Sequence, residues 1–310
     1  MPELGELYRR VVLATAGASW VEGFVKRHGF ELGVGRFIAG RDAQEALPKL
    51  QAIEASGKRV IIDVLGEFVT SEEEARSSAR RVLDAVPVVH AAGVEPYFSV
   101  KPTQLGLGVS PALALELADE VATAVRGVGG RVCLDMESSG YVDGTLDLFR
   151  ALRSRGHDHV ATVLQAYLHR TPEDLEALLE LDPRPTLRVV KGAYNEPAEV
   201  ALRSKEDVDA AFVQMVARCV AAGAHVDVAT HDERLLTKAL AHVDAAGLQE
   251  GAYGVQMLFG VKPGLQDRLA TAGRPVRLYV PLGEDWYGYY SRRLAERPAN
   301  LAVVVRGLFG

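Results

Sequence analysis

Residues 187–194, LRVVKGAY, join a short apolar run to a tail of lysine, two small residues and tyrosine. Seven other β-rich runs follow the same plan, and each leads through a polar or glycine-containing loop into a helical pattern. They are RVIIDVL (59–65), EPYFSV (95–100), RVCLDM (131–136), ATVLQAY (161–167), HVDVAT (225–230), AYGVQML (252–258) and PVRLYV (275–280). Nearly continuous apolar residues are typical of parallel strands buried on both faces. Eight such units predict an α/β fold, a TIM-like (βα)8 barrel.

Polar groups stand where these runs end. An open doubly wound sheet would also alternate strands with helices, but it usually carries a glycine-rich phosphate loop, and the sequence has no GxGxxG motif. In a barrel, the carboxyl ends of all strands converge on one mouth. The tails expected there are Gly66 with Glu67, Lys101, Asp135 to Glu137, Gln165, Lys191 to Tyr194, Thr230 to Asp232, Gln256 and Tyr279.

The N-terminal part of the chain lacks this rhythm. Residues 3–28 have a helical pattern, and residues 36–59 predict a short strand followed by an amphipathic helix that ends near Gly57. We therefore interpret residues 1–35 as an N-terminal helical appendage and residues 36–310 as the catalytic barrel. A chain of 310 residues, 48% of them hydrophobic, suits one large core.

Composition excludes several classes of function. The net charge is -6 and no basic stripe is present, so nucleic acid is not an expected partner. Cys133 and Cys219 lie in apolar runs without a second ligand at metal spacing, which predicts buried, reduced thiols and no metal site. No stretch is apolar enough over a sufficient length to span a bilayer, so we expect a cytoplasmic protein.

Five cations are candidates for an anion site, because each falls at a strand end or on the last helix. A carboxylate clamp would use such groups, although an Arg-Arg dipeptide alone is more often a solvated helix face. Lys101 favours the clamp because it ends an apolar strand, where a buried ammonium needs a counter-charge. The candidates are Lys101, Arg188, Lys191, Arg292 and Arg293.

Asp135 and Glu137 alternate at the end of another strand, so one side chain can face the mouth and the other the helices. Asp135 could pair with Lys101 or Arg188, or such a pair could only order a loop. A carboxylate beside fixed cations would stay ionised, and Asp135 is therefore a poor proton donor.

Small residues and capping residues indicate where a larger ligand could lie. Gly192 and Ala193 leave room for a flat cofactor against the backbone. Thr230 and His231 precede a helix and could hold a phosphate at its N-terminus, or His231 could simply cap that helix. The amides of Gln165 and Gln256, and the side chains of Leu258 and Tyr279, could wall a pocket or pack in the core.

Taken in order, a set of motifs resembles the proline dehydrogenase family, specifically its short, monofunctional bacterial members. The set consists of LGE (65–67), SVK (99–101), LDME (134–137), LQAY (164–167), RVVKGAY (188–194), ATH (229–231), the Gln256 strand, YVP (279–281) and YYSRRL (289–294). The resemblance implies a distorted (βα)8 barrel that binds FAD without a covalent link. It also implies oxidation of L-proline to Δ1-pyrroline-5-carboxylate by hydride transfer to flavin N5, the first step of proline degradation to glutamate.

The same resemblance implies roles for individual residues. Asp135, Arg188 and Tyr279 would form the catalytic group, and Glu67 would pair with Arg292 as a gate. The proline site would consist of Lys101, Tyr194, Leu258, Tyr279, Arg292 and Arg293. The FAD site would consist of Met136, Gln165, Arg188, Lys191, Gly192, Ala193, Thr230 and His231, with Lys205 as a further contact.

The chain departs from the family pattern at Asn195, where many members have tryptophan, and in the loop around residues 203–205, so the adenine-side contacts are open. The resemblance implies a membrane quinone as electron acceptor, peripheral contact with the inner face of the membrane, and a separate pyrroline-5-carboxylate dehydrogenase downstream. The apolar segment 301–310 could contact the membrane or pack on the barrel. Two other functions stay open: a Schiff-base aldolase using Lys101 or Lys191, and a barrel that binds an anion without turnover.

Overall fold

The computed structural model describes residues 19–30, 33–249 and 251–296. Its strands form one closed, parallel barrel in which each strand pairs with the next along the chain and β8 returns to β1. This confirms the predicted TIM-like barrel and each of the predicted strand runs. The strands are β1 (Arg59–Val64), β2 (Tyr97–Val100), β3 (Arg131–Leu134), β4 (Val160–Gln165), β5 (Leu187–Val190), β6 (Val226–Ala229), β7 (Tyr253–Leu258) and β8 (Val276–Leu282).

Helices connect successive strands and surround the barrel. Short 3-10 turns, Val34–Arg36 and Ser139–Tyr141, precede two of these helices. The helices within the described ranges are α1 (Ser19–His28), α2 (Ala43–Ala55), α3 (Glu72–Ala91), α4 (Pro111–Gly127), α5 (Val142–Ser154), α6 (Thr171–Leu179), α7 (Lys205–Ala222), α8 (Glu233–Ala245), α9 (Pro263–Thr271) and α10 (Trp286–Glu296).

The barrel closes because the strands are buried on both faces. In β1, Val60, Ile61 and Ile62 are all fully buried, since alternate side chains face the barrel interior and the surrounding helices. The β1–β8 ladder extends from the Arg59–Arg277 pair to the Val64–Leu282 pair. Parallel pairing throughout puts the carboxyl ends of all eight strands at one end of the barrel.

The N-terminal prediction is confirmed in part. Residues 19–28 are helical and α2 ends at Ala55, close to the predicted Gly57. Residues 3–18 of the predicted helix and the apolar segment 301–310 lie outside the described residues. Among the described residues, no helix combines the length and the apolar character needed to cross a bilayer.

The strand predicted at the start of residues 36–59 is wrong. The backbone there is irregular and makes only isolated bonds to the end of β8, from Ala39 N–H to the Pro281 carbonyl at 2.8 Å and from Gly283 N–H to the Gly40 carbonyl at 3.0 Å. The apolar side chains of this segment pack against a helix and not within the sheet. Phe37 and Ile38 pack in a buried cluster with aromatic residues of α10, and this cluster fixes α10 beside the barrel mouth.

Candidate functional site

A cavity of about 640 Å³ opens at the carboxyl ends of the strands, in the size range of small-molecule sites. Apart from Lys205, every residue predicted for the gate, the substrate site and the cofactor site lines it, as does Gln256. These residues are Glu67, Lys101, Asp135, Met136, Gln165, Arg188, Lys191, Gly192, Ala193, Tyr194, Thr230, His231, Leu258, Tyr279, Arg292 and Arg293. Their individual roles remain predictions.

Asp135 is the most densely bonded group in this cavity. Its Oδ1 accepts hydrogen bonds of 2.6 Å from the Ser99 hydroxyl and from Nη1 of Arg188. Its Oδ2 accepts a 2.7 Å bond from the Tyr279 hydroxyl and lies 3.4 Å from Nζ of Lys101. Both cationic partners anticipated from the sequence are therefore present, and the carboxylate joins β2, β3, β5 and β8 across the barrel.

These contacts decide the charge of Asp135. Burial opposes ionisation, but the positive charges of Lys101 and Arg188 and the bonds from Ser99 and Tyr279 outweigh it, so the pKa of Asp135 lies below its ordinary value. Asp135 is an anion that orients cations, and it has no proton to donate at neutral pH.

Lys101 sits between two carboxylates. Its Nζ lies 3.4 Å from Oδ1 of Asp63, 3.4 Å from Oδ2 of Asp135 and 3.3 Å from the Tyr279 hydroxyl. Burial alone would lower the pKa of Lys101, but the two carboxylates raise it above the ordinary value. Lys101 therefore stays protonated, and Asp63 and Asp135 supply the counter-charges that a buried lysine requires.

Sequence reasoning missed Asp63. The prediction placed the chemistry of this strand in its tail, at Gly66 and Glu67, whereas Asp63 lies within β1 and is 1% exposed. A signal existed, because a lone aspartate inside the apolar run RVIIDVL must either pair or face a cavity. Asp63 does both.

Glu137 is buried on the other side of the Asp135 strand end. Its carboxylate accepts from the backbone N–H of Thr103 at 2.9 Å and from the Thr103 hydroxyl at 2.7 Å. Its backbone carbonyl accepts a 2.8 Å bond from Nε2 of Gln165. The protein thus supplies a partner for the Gln165 amide and uses Glu137 to hold the loop after β2.

Helix α10 brings both of its arginines to the cavity. Nη2 of Arg292 donates to Oε1 of Glu67 at 2.6 Å, which is the pairing predicted for the gate. Arg293 lies over the ring of Tyr289, 5.1 Å from its centroid. A second cavity, of about 800 Å³, is also lined by Glu67 and Arg292, so the pair forms part of the wall of both cavities. The gate function of the pair remains a prediction.

The Lys191 to Ala193 segment passes close to another part of the site. Gly192 has φ of +120°, and a Cβ atom there would come within 2.1 Å of the Tyr167 ring. Only glycine fits this position, for reasons of both backbone conformation and space. Gly192 and Ala193 also line the cavity, and the prediction that a flat cofactor lies against this backbone stays a prediction.

Lys191, which lines the cavity, belongs to a cluster of four charged side chains. Lys191 lies 2.5 Å from Asp209 and 3.6 Å from Asp232, and Lys205 contacts the same two carboxylates. Lys205 does not line the cavity and reaches it only through these ion pairs. Asp232, whose side chain accepts from Leu235 N–H, is the N-cap of α8.

His231 is held by the neighbouring strand. Its Nε2 accepts a 2.8 Å bond from Leu258 N–H, and its carbonyl accepts a 2.8 Å bond from Nζ of Lys262. The Thr230 hydroxyl accepts from Asp232 N–H at 3.1 Å. Asp232, rather than His231, caps the helix that was predicted to receive a phosphate.

The residues present fit a flavin. Both amide atoms of Gln256, and Nε and Nη2 of Arg188, are buried without a hydrogen-bond partner among the described residues, although buried polar groups are usually bonded. These donors and acceptors stand at an otherwise apolar wall that includes Met257 and Val163. A flat ring with polar edges would satisfy them.

Two observations concern metal-ligating groups and cysteines within the described ranges. No group of three or more His, Cys, Asp or Glu side chains there could hold a metal ion. Cys133 and Cys219 are buried and free of disulfides, in agreement with the prediction.

Known proteins show the same pattern along nearly the whole chain. The proline dehydrogenase family matches residues 46–306. A Deinococcus radiodurans protein named proline dehydrogenase is 41% identical over 98% of this chain and 99% of its own length. Proline dehydrogenase 2 of Bacillus subtilis is 34% identical over 97% of this chain and 98% of its own length.

A solved structure has the same fold. The crystal structure of proline utilization A from Bdellovibrio bacteriovorus, inactivated by N-propargylglycine, superimposes with a TM-score of 0.81 at 23% identity. The match covers 93% of this chain but only 36% of that one, so this chain spans about a third of the larger protein. From its full-length similarity to the curated relatives, we conclude that the chain belongs to the proline dehydrogenase family.

Proposed function

We propose that this protein is an FAD-dependent proline dehydrogenase that oxidises L-proline to Δ1-pyrroline-5-carboxylate. The observation that carries the proposal is the convergence of Lys101, Arg292 and Arg293 on a cavity that is also lined by apolar and aromatic side chains, among them Leu258, Tyr194 and Tyr279. A small amino acid has the matching chemistry, with a carboxylate at one end and a hydrocarbon ring at the other. Cations with several donors are suited to hold a carboxylate.

In this proposal, the three cations bind the proline carboxylate, and Tyr194, Leu258 and Tyr279 enclose the ring. Asp135 has a different task. Because it is ionised and bonded to Lys101, Arg188 and Tyr279, it fixes the direction of each of these groups toward the cavity. Arg188 and Tyr279 also contact each other, with the guanidinium carbon 5.5 Å from the ring centroid. Preorganised charges of this kind need no rearrangement when substrate binds.

FAD, when bound without a covalent link, supplies the hydride acceptor at its N5 atom. Arg188, Gln165 and Gln256 would hold the ring system, and the unpartnered atoms of Arg188 and Gln256 support this assignment. The backbone of residues 191–193 and the side chain of Met136 would line its edge, and Thr230 with His231 would lie near its phosphates. Lys191 and Lys205 would offset the negative charge of Asp209 and Asp232 there.

The alternative of a Schiff-base aldolase is disfavoured by the charge of Lys101. A lysine nucleophile must lose its proton, whereas Asp63 and Asp135 raise the pKa of Lys101. Lys191 is likewise engaged with Asp209 at 2.5 Å.

The electrons would pass to a membrane quinone, and the protein would work in the cytoplasm with peripheral contact at the inner face of the membrane. The product would be oxidised toward glutamate by a separate pyrroline-5-carboxylate dehydrogenase, which would complete the degradation of proline. These assignments follow the resemblance to the family.

An absorbance spectrum of the purified protein tests the function directly. We expect the visible bands of oxidised flavin, and we expect L-proline to bleach them in the absence of oxygen. A protein that stays colourless after addition of FAD, or whose flavin is not bleached by L-proline, would contradict the proposal. D-proline serves as a control for stereospecific binding.

A further inference from the structure

Asp63 is a buried carboxylate with too few partners. It lies within β1, is 1% exposed and lines the site cavity. Its Oδ1 is 3.4 Å from Nζ of Lys101, and its Oδ2 has no hydrogen-bond partner among the described residues. An ionised carboxylate in such surroundings is costly, because burial removes water, and the 3.4 Å contact with Lys101 and the influence of the Tyr279 hydroxyl replace only part of it.

The neighbouring carboxylate has the opposite environment. Asp135 accepts bonds of 2.6 to 2.7 Å from Ser99, Arg188 and Tyr279. Both carboxylates share the Lys101 ammonium, but nearly all other donors are directed to Asp135. Two acids whose environments differ in this way divide acid and base tasks between them.

We propose that Asp63 accepts the proton that the substrate amine must lose, an inference that rests on the proposed function. The amine of an amino acid is protonated in neutral water, and a C=N bond forms only when the nitrogen lone pair is available. In the proposed step, one N–H bond breaks and leaves its electron pair on nitrogen, and an O–H bond forms on Asp63. The two electrons of the oxidation leave separately, with the hydride assigned to FAD, and the proton later passes to water.

The charges around Asp63 agree with this role. Burial raises the pKa of Asp63, and Asp135 just after β3 and Glu67 in the loop after β1 raise it further. Lys101 just after β2 and Tyr279 on β8 lower the pKa, and the net change is an increase. Asp63 is therefore the carboxyl in which a proton is more stable than usual, whereas the pKa of Asp135 is lowered.

The other carboxylates that line the cavity are less suited. Both oxygens of Glu137 accept bonds from Thr103, and Glu67 is paired with Arg292 at 2.6 Å. Asp135 cannot hold a proton without losing its contacts with Arg188 and Lys101. Among these four acids, Asp63 has the buried oxygen with no donor.

The role predicts a pH dependence. A proton acceptor must be ionised, so the rate of flavin reduction by L-proline should rise with pH through the pKa of Asp63, which lies above the ordinary carboxyl value. This rise of the rate at low pH is the acid limb of the pH profile. In Asp63→Asn the acid limb should disappear, and the limiting rate should fall about 10²- to 10⁴-fold, the usual contribution of a general base. Asp63→Glu should retain a limb with a shifted midpoint.

Asp227→Asn is the matched control. Asp227 is also a buried strand aspartate, 3% exposed, but it pairs with His225 at 3.2 Å and does not line the cavity. Its variant should keep the acid limb. If Asp63 only positioned Lys101, Asp63→Asn would instead raise the KM for proline, leave the limiting rate largely unchanged and keep the limb. That result would overturn the proposal.

Infrared difference spectroscopy gives a second readout that does not depend on turnover. When the reaction is followed in time as L-proline reduces the flavin of the unaltered protein without oxygen, a protonated carboxyl C=O band that shifts in D2O should rise together with flavin reduction, before the proton passes to water. The band should be absent from Asp63→Asn and present in Asp227→Asn. No such band in the unaltered protein would overturn the role even if the variants did not fold. If L-proline reduces the flavin but neither the limb nor the band depends on Asp63, this inference fails and the proposed function stands. If L-proline does not reduce the flavin at all, both fail.

Discussion

Arg292 donates a 2.6 Å hydrogen bond to Glu67, 225 residues earlier in the chain, and so links the last helix to the loop after the first strand. The pair lines both the site cavity and the second cavity next to it. Its side chains are 44% and 22% exposed, so solvent weakens the attraction, and a contribution of about 0.2 to 1 kcal/mol is reasonable.

From this we predict that Glu67→Ala raises the KM for L-proline by up to about fivefold, because Arg292 is no longer held beside the cavity. Steady-state kinetics of the flavin-loaded protein would measure it. Glu176→Ala is the control. Glu176 on α6 forms an equally short 2.6 Å pair with Arg218 on α7, and neither residue lines the site cavity, so this variant should leave the KM unchanged. An unaltered KM in Glu67→Ala would remove the gating role.

Arg188→Met should lower the free energy of unfolding by about 3 to 5 kcal/mol, the usual cost of breaking a buried ion pair by removing one partner. Arg188 lies 2.6 Å from Asp135, and both side chains are largely buried. Urea unfolding of the flavin-free protein isolates this effect from cofactor binding.

For comparison, Arg218→Met removes an exposed pair and should cost less than about 1 kcal/mol. Equal losses in the two variants would mean that Asp135 is satisfied without Arg188. We also expect Arg188→Met to bind FAD more weakly, because the unpartnered Nε and Nη2 atoms are lost.

The lowered pKa of Asp135 makes stability depend on pH. A carboxylate whose folded-state pKa is depressed contributes stability that is fully present above its unfolded value, near 3.8, and is lost as pH falls through the folded-state pKa. The difference in free energy of unfolding between the unaltered protein and Asp135→Asn should therefore be constant above about pH 5 and should narrow below about pH 4.

Chemical denaturation across this pH range would test the window. Asp147→Asn is the control, since Asp147 is 77% exposed and pairs with Arg150 only at 3.3 Å. A gap that widened as pH fell would show that Asp135 is held protonated in the folded protein, contrary to its bonding with Arg188 and Lys101.

The fold could be predicted because each strand has a local sequence pattern, an apolar run followed by a polar tail. The same periodicity misled at residues 36–41, where apolar side chains pack against α10 instead of pairing in the sheet. The central ion cluster could not be read locally, because Asp63, Lys101 and Asp135 are joined only by the register of β1, β2 and β3. The spacing of residues in the sequence does not indicate whether Asp63 or Asp135 accepts the hydrogen bonds from the surrounding donors. That division depends on Ser99, Arg188 and Tyr279, which come from three different strands.

The close approach of Gly192 to Tyr167 gives a further prediction. Gly192→Ala should lower the free energy of unfolding by about 3 kcal/mol, since the new Cβ must avoid the ring and the backbone has φ of +120°.

Gly223→Ala is the control that distinguishes backbone strain from the steric conflict with Tyr167. Gly223 has φ of +70° at the C-terminus of α7 and open space around it, so only backbone strain of about 1 to 2 kcal/mol applies. Adding Tyr167→Leu to Gly192→Ala should recover part of the loss by relieving the steric conflict. If Gly192→Ala and Gly223→Ala lower the free energy of unfolding equally, and adding Tyr167→Leu recovers none of it, the packing of Tyr167 does not require glycine at position 192. Weaker FAD retention in Gly192→Ala would in turn connect this packing to the cofactor side of the cavity.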